Sequence, residues 1–249
     1  MNTEANLPET SVEVTSMQLV QDLQCALEKA INFLGGKQKR AIQDSYYFYA
    51  AVHMNRIVHG FLFLRQHGYA DAAKFLVRPA IESMIRIQAA RKQPDLIYRI
   101  IYTETLEDDK WTAPVAKRLG QPYTTRRDSQ DWDEFKNLCI SEFGRENVVD
   151  EELRLNTAAK IVGIESYYGT HYRMYCRYTH GGLQAMSGEL DSLSDPEDSR
   201  TLVLCAFAAL EAIASIGADC ANLNSLRERM VNLSRRRPEP LGRIRQGTG

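Results

Sequence analysis

The stretch that decides the fold is "YADAAKFLVRPAIESMIRIQAARKQ", residues 69–93. Its apolar residues recur every three to four positions, which is the spacing of an amphipathic α-helix. The same stretch carries a ladder of charged side chains, namely Asp71, Lys74, Arg78, Glu82 and Arg86. Such a helix is stable when its apolar face is buried against other elements. The sequence therefore predicts a long helix that packs against several neighbours.

Five further stretches with helical periodicity flank this one. They begin near Met17, Lys37, Pro94, Asn156 and Asp195, and the last of them is predicted to continue to Ser234. Between residues 111 and 150 the periodicity weakens and turn-forming residues increase. No alternating run is long enough to predict a strand. The predicted fold class is all-α: a bundle of long antiparallel helices with a short irregular helical insertion.

The expected organisation is a single domain between two tails. Residues 1–16 are predicted to be a flexible tail, residues 17–234 one helical domain, and residues 235–249 a basic flexible tail. The acidic connection around "LSDPEDS" is predicted to be mobile. The predicted core residues are Leu62, Leu76, Ile81, Ile85, Tyr168, Tyr172, Tyr175, Leu204 and Phe207.

Composition limits the class of protein. The 249 residues are 44% hydrophobic and carry a net charge of -1, so no overall field attracts nucleic acid or an acidic membrane. The five cysteines are scattered without a CxxC pair, which argues against a disulfide framework and a zinc site. No run approaches the ~20 apolar residues of a membrane span. We therefore expect a cytoplasmic protein without a membrane segment, a metal or a cofactor.

A second stretch, "YYGTHYRMYCRYTHGG", residues 167–182, carries the candidate chemistry. On an α-helical wheel its aromatic side chains form a broad packing face, and Arg173, Arg177 and His180 form a polar stripe at i, i+4 and i+7. No acidic residue lies on the stripe, so its positive charge requires a negative partner. A bound phosphate could supply that charge, and so could a carboxylate of another helix, such as Glu82.

Together, the Arg78 and Glu82 helix and this late stretch resemble a widespread bacterial family of unknown function, with an RxxxE helix and a late Y…Y…H helix. That family is similar to the HEPN superfamily, whose ribonuclease members carry an arginine and, after a short spacer, a histidine late in a helical bundle. Here the spacer between Arg173 and His180 is "MYCRYT". The resemblance implies that these two residues are catalytic. It also implies phosphate-binding or supporting roles, which we assign to Arg177, Tyr172, Arg78 and Glu82.

The implied reaction is RNA cleavage without a metal, in which the 2′-hydroxyl attacks the adjacent phosphate and leaves a 2′,3′-cyclic phosphate. Histidine titrates near neutrality, so it can transfer the proton. Arginine keeps a fixed charge and can stabilise the transition state. The resemblance places such a site across a homodimer, and it suggests a toxin or defence effector with a possible regulatory protein partner.

Two other interpretations stay open. Met174 stands directly after Arg173, where active members of the resembling superfamily usually have a polar residue. This departure favours a non-catalytic helical module that binds nucleotide, RNA or a protein partner through the same stripe. It equally favours a purely structural protein whose stripe is neutralised internally by Glu82.

Overall fold

The computed structural model describes the backbone of residues 11–36, 41–179 and 195–235 and the side chains of 15–36, 41–176 and 197–235. Every regular element in these ranges is helical, and they contain no strand. The predicted all-α class is therefore confirmed. The connection around "LSDPEDS" was predicted to be mobile, but its residues 195–199 form the first turn of a long helix, and Asp198 and Ser199 are buried. The prediction is therefore wrong for these residues, because the Asp-Pro pair begins a helix here. Residues 193–194 and most of the predicted basic tail lie outside the described residues.

The described chain forms ten α-helices in order. They are α1 (Ser11–Gly35), α2 (Ile42–Gln66), α3 (Ala70–Lys92), α4 (Leu96–Arg118), α5 (Gln130–Phe143), α6 (Leu155–Val162), α7 (Glu165–Tyr167), α8 (Arg173–Thr179), α9 (Asp195–Ser215) and α10 (Leu223–Arg235). A π turn, Tyr168–Tyr172, joins α7 to α8. Short 3-10 turns, Arg126–Asp128 and Arg145–Asn147, flank α5.

The main core lies among four long helices. Helix α9 packs against α1, α2 and α3, and α10 covers one end by packing against α1 and α9. Leu23, Val58, Ile81 and Leu210 are fully buried, one from each of the four helices. Burying each such side chain contributes about 1.5–3 kcal/mol, so this core accounts for most of the favourable free energy of folding.

A smaller, aromatic core holds the irregular insertion. Tyr98 of α4 is fully buried, and its ring centroid lies 5.8 Å from those of Trp132 and Phe135 in α5. Cys139 completes the buried part of this cluster with Val148. Aromatic packing therefore anchors the insertion to α4 although the segment between residues 111 and 150 shows weak periodicity.

Helix α3 contacts the main core, the helix beside the insertion and the late helical segment. It contacts α2 and α9 in the main core, α4 beside the insertion, and α6, the π turn and α8 in the later part of the chain. Its charged ladder therefore spans the space between the late helix and the insertion. This position makes α3 the element on which two polar sites are built.

The structure corrects two predicted helix boundaries. A single final helix was predicted to reach Ser234, but α9 ends at Ser215 and a separate helix begins at Leu223. The break contains Gly217, whose φ of 88° lies in the left-handed region that terminates helices. At the other end, α1 begins at Ser11, inside the predicted tail, because no proline or glycine lies between Ser11 and Met17.

The predicted core is correct for most of its members. Leu62, Ile81, Ile85, Tyr175 and Phe207 are buried, and Leu76, Tyr168 and Tyr172 are partly buried against the same core. Leu204 was assigned wrongly, since it is 38% exposed. Nearly every neighbouring position of α9 is apolar, so periodicity could not identify which face is turned outward.

Candidate functional site

A three-membered polar cluster joins α3 to the late helical segment. The Arg78 Nε donates to Glu82 Oε1 at 3.0 Å, within α3. The Tyr172 hydroxyl donates to the same oxygen at 2.9 Å. A longer contact of 3.5 Å runs from Arg78 Nη2 to the Tyr172 hydroxyl. The three side chains therefore form a closed network across two elements that are far apart in sequence.

The π turn sets the orientation of Tyr172. Its ring stacks on Tyr168, with centroids 4.8 Å apart and an interplanar angle of 15°. The Arg78 guanidinium lies 5.7 Å from the centroid of the Tyr172 ring, within the range of a cation–π contact. A π turn holds one more residue than an α turn, so it changes the helical register by about 100°. The predicted continuous α-helical wheel for residues 165–187 is therefore wrong at this turn.

Burial and charge keep Tyr172 protonated. Partial burial, the negative charge of Glu82 and the hydrogen bond to that carboxylate all raise the pKa of Tyr172 above its usual value. The Cys176 side chain, one turn into α8, is a further cause that raises the pKa of Tyr172. At neutral pH Tyr172 is thus a neutral donor that fixes the beginning of α8 against α3. The helical wheel placed its ring on the packing face, and the resemblance implied a phosphate-binding or supporting role for Tyr172. Neither identified its hydroxyl as the donor to Glu82.

Arg173 lies next to this network but takes no part in it. Its side chain is exposed and makes no hydrogen bond or ion pair with any described residue. Glu82 pairs with Arg78 and Tyr172, so the alternative in which Glu82 neutralises Arg173 is not what the structure shows. Met174 is partly buried against the main core.

Two of the predicted site residues cannot be compared with this geometry. The backbone of Arg177 belongs to α8, but its side chain lies outside the described residues. His180 lies wholly outside them. Of the six predicted site residues, the structure thus brings together Arg78, Glu82 and Tyr172, and it places Arg173 beside them.

Another histidine of the same stretch makes a described contact that the sequence did not indicate. The Nε2 of His171 lies 3.3 Å from Glu197 Oε1 of α9, and its ring stacks on Tyr167 with centroids 4.4 Å apart. The hydrogen bond to His171 is the main cause that lowers the pKa of Glu197. The π turn that directs Tyr172 toward α3 therefore directs its neighbour toward α9. Only the adjacency of His171 to Tyr172 could have suggested this contact.

A second polar site opens between α2, α3, α4 and α5. Its cavity has a volume of about 1160 Å³, and its walls include Tyr46, His53 and Asp108. Arg86 of α3 donates from Nη1 to Glu104 of α4 at 2.8 Å on this wall. Glu82 lies four residues before Arg86 in the same helix, but the ion pair of Arg86 forms with another helix. Burial and the charge of Glu104 raise the pKa of Tyr46.

The described residues contain no group of three or more His, Cys, Asp or Glu side chains arranged to hold a metal ion. Within the same part of the chain, no helix is long and apolar enough to cross a membrane.

The comparison with protein families gives one match, and it covers both polar sites. The chain belongs to a family of unknown function (DUF5677), whose model matches residues 44–199. This range begins in α2, includes α3 and the π turn, and ends at the beginning of α9. No curated protein and no solved structure matches the chain.

Proposed function

We propose that this protein is a metal-independent endoribonuclease of the HEPN type, which cleaves RNA through Arg173 and His180. The observation that carries the proposal is the state of Arg173. It is an exposed guanidinium without a described ionic partner, on a helix whose first residues are tied to α3 by Tyr172. An unpaired cation held beside a rigid network is suited to a phosphate, since positioning before binding reduces the entropy lost on binding.

Each residue has a distinct role in the proposed reaction. His180 transfers the proton, because histidine titrates near neutral pH. Arg173 stabilises the charge that develops on the phosphate in the transition state. Arg177 contacts a neighbouring phosphate and so contributes to binding more than to chemistry. Arg78, Glu82 and Tyr172 support the site by fixing the beginning of α8.

The proposal includes a homodimer in which two late helices meet, so that two copies of Arg173 and His180 lie in one groove. It further places the protein in the cytoplasm, as a toxin or defence effector that a regulatory partner holds inactive. These elements rest on the resemblance to HEPN ribonucleases. The proposed reaction is specific for RNA, because DNA lacks the 2′-hydroxyl that attacks the phosphate.

Incubation of the purified protein with total RNA, with and without EDTA, tests the proposal. We expect cleavage in both conditions and products that end in a 2′,3′-cyclic phosphate. His180→Ala and Arg173→Ala should lower the rate by on the order of 100- to 1000-fold. Arg173→Lys should restore little of it, because lysine lacks the planar donor fork. Intact RNA with the wild-type protein under every condition would count against the proposed activity.

A matched control separates the chemistry from a general loss of positive charge. Arg56 is an exposed arginine of α2 without a described ionic partner, like Arg173. Arg56→Ala should leave cleavage within about twofold of the wild-type rate, since surface changes away from a site are usually near neutral. Arg177→Ala should weaken RNA binding more than it slows the chemical step.

Met174 supports a second candidate, a non-catalytic module that binds nucleotide, RNA or a protein partner. Its side chain packs against the core and therefore supplies no polar group beside Arg173. In this case, the wild-type protein should bind RNA or a nucleotide through Arg173 and leave RNA uncut. A filter-binding measurement beside the cleavage assay distinguishes the two candidates.

A further inference from the structure

An apolar stripe lies exposed on the last turns of α4 and on Leu119, the residue that follows this helix. Trp111, Val115 and Leu119 occur at i, i+4 and i+8, and they are 78%, 55% and 65% exposed. Residues at this spacing lie on one face of a helix. Scattered exposed apolar residues are common on proteins, but a contiguous row of this kind marks an interaction surface.

The contacts at the end of α4 fix the helix in an orientation that leaves this stripe exposed. Ala116, about 100° around the helix from Val115, is buried against the rest of the molecule. The buried Asp109 accepts hydrogen bonds from the Tyr123 hydroxyl at 2.6 Å and from Arg127 Nε at 3.1 Å. These contacts fix the rotation of α4, so the apolar row faces away from the protein.

Two opposite charges flank the row. Glu107 lies one turn before Trp111, and Arg118 lies between Val115 and Leu119, about three helical turns after Glu107, so both lie on the same flank of the row. Both side chains are exposed, and neither makes an ion pair with a described residue. The flank is therefore acidic at one end and basic at the other.

We propose that this surface of α4 binds a second copy of the chain, with the two α4 helices antiparallel across a twofold axis. In such a pair, identical flanks face each other, and the beginning of one row lies opposite the end of the other. Glu107 of each copy then meets Arg118 of the other, and Trp111 packs beside Val115 of the second copy. A row with opposite charges at its two ends is complementary to itself only in this antiparallel arrangement.

The interface is independent of the proposed RNA site. It lies on the last turns of α4, whereas Arg173 lies at the beginning of α8. Loss of the α4 interface should therefore reduce the assembly without removing Arg173 from the surface. An unchanged mass for Trp111→Glu with RNA cleavage retained would sink this inference alone. An assembly that Trp111→Glu dissociates, in a protein that leaves RNA intact, would sink the proposed ribonuclease alone.

Light scattering on the full chain across a dilution series tests the interface. Trp111→Glu should halve the mass of the assembly and raise its dissociation constant on the order of 30-fold or more, as expected for a central tryptophan. Phe63→Glu is the matched control, because Phe63 is a 52% exposed aromatic residue of α2 away from the row. The control should keep the wild-type mass. An unchanged mass for Trp111→Glu would overturn the proposal.

A charge exchange tests the orientation. Glu107→Arg alone and Arg118→Glu alone should each weaken self-association, roughly tenfold, because like charges then face each other twice. An equimolar mixture of the two variants should regain the wild-type mass, since both contacts again pair opposite charges. A mixture that stays dissociated would rule out the antiparallel pairing.

Tryptophan fluorescence tests whether a second copy of the chain covers the apolar row. The sequence has two tryptophans, so Trp132→Phe leaves Trp111 as a single reporter. Dilution should shift its emission to longer wavelength and increase quenching by acrylamide as the copies separate. A monomer with an exposed Trp111 at all concentrations would overturn the proposal. So would a monomer with a shielded Trp111, because another segment or molecule would then cover the row.

Discussion

Two arginine–glutamate pairs on α3 have similar chemistry and different surroundings. Arg78 pairs with Glu82 of the same helix, and the two side chains are 24% and 26% exposed. The Tyr172 hydroxyl donates a hydrogen bond to this Glu82 carboxylate. Arg86 pairs with Glu104 of α4, and these side chains are 25% and 50% exposed on the wall of a wide cavity. The Tyr172 hydroxyl completes the hydrogen-bonding of the first pair, whereas the second pair faces the cavity.

The difference indicates which pair stabilises the fold. A carboxylate that accepts two hydrogen bonds in a partly buried place cannot be removed without leaving polar groups unsatisfied. An ion pair at a solvent-exposed wall is screened and contributes little. We therefore assign the Arg78–Glu82–Tyr172 network to the support of α8. The Arg86–Glu104 pair, by contrast, remains available to whatever occupies the cavity.

The largest expected effect comes from removing the two carboxylates in turn. Glu82→Ala should lower the free energy of unfolding by about 1–3 kcal/mol, because the Tyr172 hydroxyl loses its acceptor and Arg78 loses its carboxylate. The control is Glu104→Ala, in the pair that faces the cavity. It should lower the free energy of unfolding by about 1 kcal/mol or less. Urea unfolding monitored by circular dichroism measures both. Equal losses would remove the distinction between the two pairs.

A smaller effect is expected when only the third polar group is removed. Tyr172→Phe keeps the ring stacked on Tyr168 and deletes the hydroxyl, so it should lower the free energy of unfolding by about 1 kcal/mol. Tyr168→Phe is the control, because the Tyr168 hydroxyl has no hydrogen-bond partner among the described residues. That control should change stability by less than about 0.5 kcal/mol. If both variants behave alike, stacking and not the hydroxyl ties α8 to α3.

The network should also make stability fall at alkaline pH. The pKa of Tyr172 is raised in the folded protein by burial and by Glu82, whereas the unfolded chain titrates near pH 10. The contribution of Tyr172 is therefore fully present below about pH 10 and is lost as the pH rises toward the raised value. The difference in unfolding free energy between wild type and Tyr172→Phe should shrink above about pH 10. A difference that is constant to pH 11 would contradict this.

The smallest expected effect is the response of the two pairs to salt. A double-mutant cycle on Arg86 and Glu104 should give a coupling energy of about 0.2–1 kcal/mol at low salt, and most of it should disappear in about 1 M sodium chloride. The same cycle on Arg78 and Glu82 should retain more of its coupling, since its ions are less exposed. Comparable losses would mean that solvent reaches both pairs equally.

Helical periodicity was sufficient to predict the class of fold and the position of α3. The ion pair between Arg78 and Glu82 follows from the same periodicity, because residues four apart lie next to each other on an α-helix. The partner of Arg86 could not be predicted in this way, since Glu104 belongs to another helix and the contact depends on how α3 and α4 pack. The spacing of residues in the sequence therefore predicts ion pairs within one helix but not ion pairs between helices.

The role of the Tyr172 hydroxyl was beyond prediction for a different reason. An α-helical wheel places Tyr172 on the aromatic side, and no residue type in "YYGTHY" specifies a π turn. The turn becomes visible only in the backbone, where it directs Tyr172 to Glu82 and His171 to Glu197. Whether Glu82 pairs with Arg173 also could not be read from the sequence, because it depends on how α8 packs against α3.

The π turn has a consequence for comparing this chain with its relatives. Deletion of a single residue between Tyr168 and Tyr172 would convert the turn to ordinary α-helix and rotate α8 by about 100° relative to α7. A relative that lacks the turn would differ by a one-residue gap, and yet the interval between its Arg173 and Arg177 equivalents would be unchanged. An alignment that ignores such a gap would pair residues that face different helices. Insertions and deletions at this point are therefore more informative about the site than substitutions elsewhere in the stretch.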